Sequence, residues 1–185
     1  MAREYTVSDN IVIEEAPSTL YDLISDPTRM GTWSPENLGA SMHVRRAEAY
    51  PGMGFDGHTK RGRARWTTQC TVTAAESGRL FEFRVHKIGI SRPRFPAAIA
   101  TWRYRFEPVA GGTRVTETWI DDRRAWPDFA ANMFDKVATG GKTFADFQRA
   151  NIKKTLENIK RDIERGPHTR RPLLARDLRT RKYSS

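Results

Sequence analysis

Cysteine occurs once in these 185 residues, at Cys70, so no intramolecular disulfide framework can hold the chain together. Long apolar runs are missing as well. No stretch approaches the roughly 18 consecutive apolar residues of a membrane-spanning helix. The opening MAREYTVSDN lacks the apolar centre of a secretory signal, so the chain is read as cytoplasmic with no transmembrane segment. No nucleophile elbow, phosphate-binding loop or dinucleotide fingerprint is present, and Gly111-Gly112-Thr113 reads as a hairpin turn rather than a phosphate cradle. His43, His58 and His86 fall in separate expected strands, without the close spacing of a zinc ligand set. Neither a metal nor an organic cofactor is therefore expected. Cys70, among Trp66, Thr68 and Val72, reads as a small buried hydrophobe.

What the chain does have is alternation. Val7, Ile11 and Ile13 recur at the two-residue period of a strand with one buried face. Pro17 then suits the first turn of a helix, where a missing N–H costs nothing, and Leu20, Leu23 and Ile24 take the spacing of an apolar helical face. Asp26-Pro27 ends that helix, and Thr28 to Trp33 is read as a second short one before Pro35. From there the pattern predicts strands over Met42–Tyr50, Gly54–Lys60, Arg65–Thr73, Leu80–Val85, Ile99–Glu107 and Thr113–Ile120, joined by tight Gly-containing turns. That is an antiparallel meander, with no parallel-sheet signature. Phe144, Phe147, Ile152, Leu156, Ile159 and Ile163 then recur near the 3.6-residue period of a long amphipathic helix. Gly140-Gly141 supplies a start or break and Gly166-Pro167 a stop.

This order, together with Trp33-Ser34-Pro35-Glu36 after Asp26-Pro27 and the segment Gly111-Gly112-Thr113-Arg114-Val115-Thr116-Glu117, resembles the START-like (SRPBCC) superfamily. Polyketide cyclases/dehydrases and lipid-transport proteins belong to it. The resemblance covers roughly residues 5 to 165. It implies an α+β helix-grip fold: a curved antiparallel sheet of about seven strands wrapped around a long C-terminal helix, with two short helices after the first strand. It divides the chain into a ligand-binding domain, residues 1–165, and a basic tail, residues 166–185. A curved sheet on one helix tends to enclose a cavity, because the helix cannot fill a wide concave face alone.

Aromatic residues are the best guide to what would line such a cavity. Trp33, Phe55, Trp66, Phe83, Trp102, Tyr104, Trp119 and Phe144 are the candidate ligand-binding residues, mostly on apolar faces. Rings supply large apolar area, and Trp or Tyr adds a polar tip that can orient a ligand. Ordinary core packing is the competing reading for each ring. Glu117 stands out because it shares a face with Val115 and Trp119. Turned inward, its carboxylate would be desolvated and its pKa raised, as suits a general base; alternatively the Thr-rich face is the cavity side and Glu117 sits outside, or it pairs with an arginine of a neighbouring strand. Glu36 reads as a capping carboxylate. Arg65, Arg84 and Arg103 alternate against the aromatic rows and are expected to point outward.

The net charge is +10, and half of it sits in the tail, where six basic residues from Arg170 to Lys182 face Asp177 alone. Such a tail is either a solvated terminus or a contact for an acidic partner, RNA, DNA or an anionic membrane surface. Leu173, Leu174 and Leu178 leave a homodimer open. Three functions follow as alternatives. One is binding of a hydrophobic small molecule, lipid- or polyketide-like, in an aromatic-lined cavity. The second, implied by the resemblance, is a cofactor-independent polyketide cyclase/dehydratase with Glu117 as its acid–base group. The third is a nucleic-acid- or protein-binding regulator that uses the tail.

Overall fold

A computed structural model describes residues 3–44, 48–93, 95–139 and 143–166. The basic tail beyond Gly166, with the leucines that raised a dimer, lies outside the described residues. Seven strands form one antiparallel sheet: β1 (Thr6–Ile13), β2 (Asn37–Met42), β3 (Gly54–Arg61), β4 (Ala64–Glu76), β5 (Leu80–Gly89), β6 (Phe95–Val109) and β7 (Gly112–Asp121). Their order across the sheet is β1-β7-β6-β5-β4-β3-β2. The first strand therefore pairs with the last, and the remainder is a simple meander. Among the described residues no helix is long and apolar enough to cross a membrane.

Helix α1 (Pro17–Ile24) begins at the predicted proline and buries Leu20, Tyr21 and Ile24. A 3₁₀ turn at Pro27–Arg29, capped by the Asp26 side chain, leads into the single turn α2 (Met30–Trp33). Helix α3 spans Asp128–Thr139, and α4 spans Phe144–Arg165 with Thr143 as its N-cap, accepting from the Asp146 N–H. The stripe Ala145, Gln148, Ile152, Thr155, Leu156, Ile159 and Ile163 of α4 is buried, and α4 packs on β1, β7 and α2. The fold is the expected helix-grip arrangement.

Two expectations need correction. The strand predicted over Met42–Tyr50 lies earlier, as β2 over Asn37–Met42, where the left-handed Gly39 lets the chain turn against β3. The His43–Val44 pair and Glu48–Tyr50 lie in bends and loop instead. Helix α3 was not anticipated. Of its described apolar side chains Ala131 is buried, whereas Phe129 and Met133 are exposed.

The strands run longer than their apolar alternation, and their curvature has a local cause. Register shifts interrupt β4 between Gln69 and Cys70 and between Val72 and Ala74, and β5 between Val85 and Lys87. An extra residue on one strand bends it and increases its twist. The concave face so formed carries Val7, Ile13, Phe55, Cys70, Val72, Phe81, Phe83, Val85, Tyr104, Phe106, Val115 and Trp119, all buried.

Candidate inner-face site around Tyr104 and Glu117

Register fixes which side chains share the inner face. Tyr104 of β6 lies opposite Glu117 of β7, and Trp102 opposite Trp119. On the other flank Phe81 faces Tyr104 and Phe83 faces Trp102, while Asp9 of β1 lies opposite Glu117. Glu117 therefore points inward with Val115 and Trp119. It is 2 % exposed, and its partner is a tyrosine, not an arginine.

The Tyr104 hydroxyl donates to Glu117 Oε1 at 2.8 Å. Glu117 Oε2 is buried without a hydrogen-bond partner, as is Gln148 Oε1 on the buried stripe of α4, among the described residues. Burial pushes the Glu117 carboxyl up to about 8 against the pull of the Tyr104 hydrogen bond, and the Asp9 carboxylate adds to the rise. At neutral pH the group is mostly a neutral acid, able to donate a hydrogen bond. Burial, with the Glu117 charge, also lifts Tyr104 well above its usual value. Cys70 is inert by the same logic: burial pushes its thiol up to about 12.

Most of the predicted rings gather around this pair. Phe55 meets Phe83 edge to face at 5.3 Å, Phe81 lies 5.7 Å from Phe83 and 6.5 Å from Tyr104, and Trp119 stacks on Phe144 at 6.0 Å. Trp66 shares the face of Cys70 and Val72. Trp102, Trp66 and Phe144 are only half-buried. For Trp102 this matters most, because it lies in register between the buried Phe83 and Trp119 and still keeps exposed surface.

Trp33 does not join them. Its indole N–H donates to Asp162 Oδ2 at 2.9 Å and its carbonyl accepts from Asn158 at 2.7 Å. Phe144 and Asp162 are separated along α4 by about 27 Å at 1.5 Å per residue, so Trp33 is at the opposite end of the helix. There it borders an open surface groove of about 450 Å³ with Thr32, Arg161 and Arg165.

Two inward arginines were not anticipated. Arg61, at the end of β3, donates through Nε and Nη2 to the Glu36 carboxylate, the latter at 2.9 Å. Its guanidinium lies 3.9 Å from the Phe147 ring centre and 5.4 Å from that of Trp66. Glu36 is thus the counter-charge of an arginine and not a cap. Arg123, just past β7, is 1 % exposed. It donates to both oxygens of Asp121 at 2.9 Å and to Asp135 at 2.7 Å, and it lies 4.7 Å from the Phe144 ring centre. Burial alone would raise Asp121, but hydrogen bonds from Arg123 and Arg3 hold its carboxyl below the usual value. Arg84 and Arg103 point outward as expected, to Asp122 and Glu82, and Arg65 is exposed. The signals for the inward pair were slight: a basic residue at a hairpin turn beside Trp66, and an arginine directly after Asp121-Asp122.

An open antiparallel sheet gripping one long C-terminal helix, with short helices after the first strand, defines the helix-grip class. The comparisons with known proteins narrow it. Residues 4–164 match the sequence profile described as polyketide cyclase/dehydrase and lipid transport, and the chain belongs to that family. A polyketide-cyclase-like protein from Corynebacterium glutamicum is 26% identical with a TM-score of 0.55, over 92% of this chain and 99% of that one. A di-domain ARO/CYC protein of the steffimycin biosynthetic pathway superposes with a TM-score of 0.60 at 15% identity, over 85% of this chain and 49% of that one. A protein from Thermus thermophilus gives 0.60 at 14% identity, over 85% of this chain and 96% of that one. At these lower identities the likeness is one of fold. No curated protein sequence matches the chain.

Proposed function

We propose that the inner face binds a hydrophobic, carbonyl-bearing small molecule, lipid- or polyketide-like, against Trp66, Trp102, Trp119 and Phe144, with Glu117 as its polar anchor. One observation carries this reading. A neutral carboxyl is buried among aromatic rings with Oε2 unpartnered, beside Trp102, which keeps exposed surface between the buried Phe83 and Trp119. A buried polar atom without a partner costs about 1–3 kcal/mol, and a ligand oxygen accepting from the protonated carboxyl would remove that cost. Rings on both flanks favour a planar or polycyclic partner.

The raised Glu117 carboxyl also favours a second reading, a cofactor-independent cyclase/dehydratase. The neutral form would hydrogen-bond to a ketone oxygen, and the ionised form would take a proton from a methylene between two ketones. The resulting enolate carbon would bond to a second carbonyl carbon and close the ring, the new alkoxide taking the proton back from Glu117. Loss of that hydroxyl with a neighbouring hydrogen as water would leave a carbon–carbon double bond. The surrounding face would hold the chain folded for that closure.

Tryptophan fluorescence titrated with a planar polycyclic ketone tests the binding reading. Saturable quenching that weakens about tenfold in Trp102→Ala, the effect of losing one buried ring face, is the expected result. Quenching that rises linearly without saturation would refute it. Turnover of a poly-β-keto thioester mimic, abolished in Glu117→Gln, would select the enzyme reading over simple binding.

A further inference from the structure

The inner face leaves one end of the sheet unexplained. The β3–β4 turn and the β5–β6 hairpin project from the same end, because Thr67 pairs with Gly89 and Thr68 with Ile88. No acidic residue occurs from Gly57 to Ala75, nor from Phe83 to Phe106. Lys60, Arg63, Arg65 and Arg92 are all exposed on these two tips. None has an ion-pair partner among the described residues, whereas Arg61 beside them is held by Glu36.

Apolar side chains stand out among these charges. Ile90 is 85 % exposed and Phe95 69 % exposed, both on the β5–β6 hairpin. The chain leaving β7 at this end of the sheet enters α3, whose Phe129 and Met133 are also exposed. Single exposed apolar residues need no explanation, but Ile90 and Phe95 stand on a hairpin that, like its β3–β4 neighbour, carries exposed basic side chains and no acidic residue. Such a tip gains by placing its apolar residues below the headgroups while the arginines meet anionic lipid.

We propose that this end of the sheet, the β3–β4 and β5–β6 hairpin tips, is a docking surface for an anionic lipid bilayer. Ile90 and Phe95 insert at the interface, and Arg63, Arg65 and Arg92 contact the headgroups. A nucleic-acid strand would use the same arginines, but Ile90 at the point of the tip would gain nothing from a phosphate backbone. The surface stands independently of what the inner face binds.

Co-sedimentation of the full chain with vesicles tests it. With phosphatidylcholine vesicles carrying about 30 mol % phosphatidylglycerol, the protein should sediment, and with pure phosphatidylcholine it should stay largely in solution. Ile90→Ser/Phe95→Ser and, separately, Arg63→Glu/Arg65→Glu should each weaken partitioning about tenfold. All four positions are exposed, and thermal melts check that the variants fold. Partitioning unchanged in both variants would place the contact elsewhere on the chain and overturn the proposal. Salt-sensitive binding of a single-stranded RNA oligonucleotide, with no sedimentation on anionic vesicles, would overturn it in favour of a nucleic-acid surface.

Discussion

Tyr104 and Glu117 face each other across β6 and β7 and share a 2.8 Å hydrogen bond in a fully buried setting. The bond satisfies one carboxyl oxygen and leaves the other without a partner among the described residues. The pair is thus an element of the core whose carboxyl carries a proton at neutral pH, and pH reads that proton out in the stability of the fold.

Burial moves the Glu117 carboxyl from its ordinary 4.5 to about 8. Between those values the folded protein holds a proton that the unfolded chain releases. Stability is therefore full below pH 4.5, falls as the pH rises, and levels off above about 8. Glu117→Gln removes this titration. Urea midpoints from pH 5 to 8 should show the variant gaining on the wild type by on the order of a few kcal/mol. Parallel curves would mean that Glu117 is not held neutral.

Tyr104→Phe deletes the hydrogen bond that lowers the Glu117 carboxyl. That carboxyl should then titrate at a higher pH than in the wild type, readable from the shifted pH dependence of stability. The loss of the bond itself should cost about 1–2 kcal/mol in denaturant unfolding.

Arg123→Met takes the guanidinium away from the buried Asp135 of α3 and leaves the Asp121 carboxylate to the Arg3 guanidinium. Removing one member of such a buried network costs about 3–5 kcal/mol, so the urea midpoint should drop sharply. The wild type should itself lose the Asp121 contribution as the pH falls below 3.8, because that carboxyl is held below its ordinary value. A midpoint unchanged in Arg123→Met would contradict the network.

Gly112 opens β7 at φ 142°, and a methyl group there would collide with the Ile13 backbone carbonyl on β1. Gly112→Ala should cost about 1–3 kcal/mol by forcing apart the β1–β7 pairing that closes the sheet order. Hydrogen exchange should localise the loss to β1 and β7.

The sheet faces were legible because a period of two repeats over many residues. Trp66, Thr68, Cys70 and Val72, and likewise Val115, Glu117 and Trp119, fall where their alternation places them. Short or interrupted elements were not. β2 is six residues long with a bulge beside Asn37, too little for a period to emerge, and α3 leaves Phe129 and Met133 in solvent. The inward arginines were hidden for another reason. Arg61 and Arg123 stand at strand ends, where direction depends on cross-strand register and on the distant Glu36 and Asp135. Trp33 shows the converse: its residue type suits a ligand site, but α2 carries it to the far end of α4.

An apolar ligand taken up by the inner face beside Glu117 adds a discrete mass to the protein. Native mass spectrometry of the gently purified protein, incubated with a planar polycyclic ketone, reads that mass. A single added ligand mass, lost in Trp102→Ala but not when Trp33 is replaced by Ala, is the predicted result. A spectrum that stays at the bare protein mass at every ligand concentration would mean that the inner face is packed core and holds no ligand.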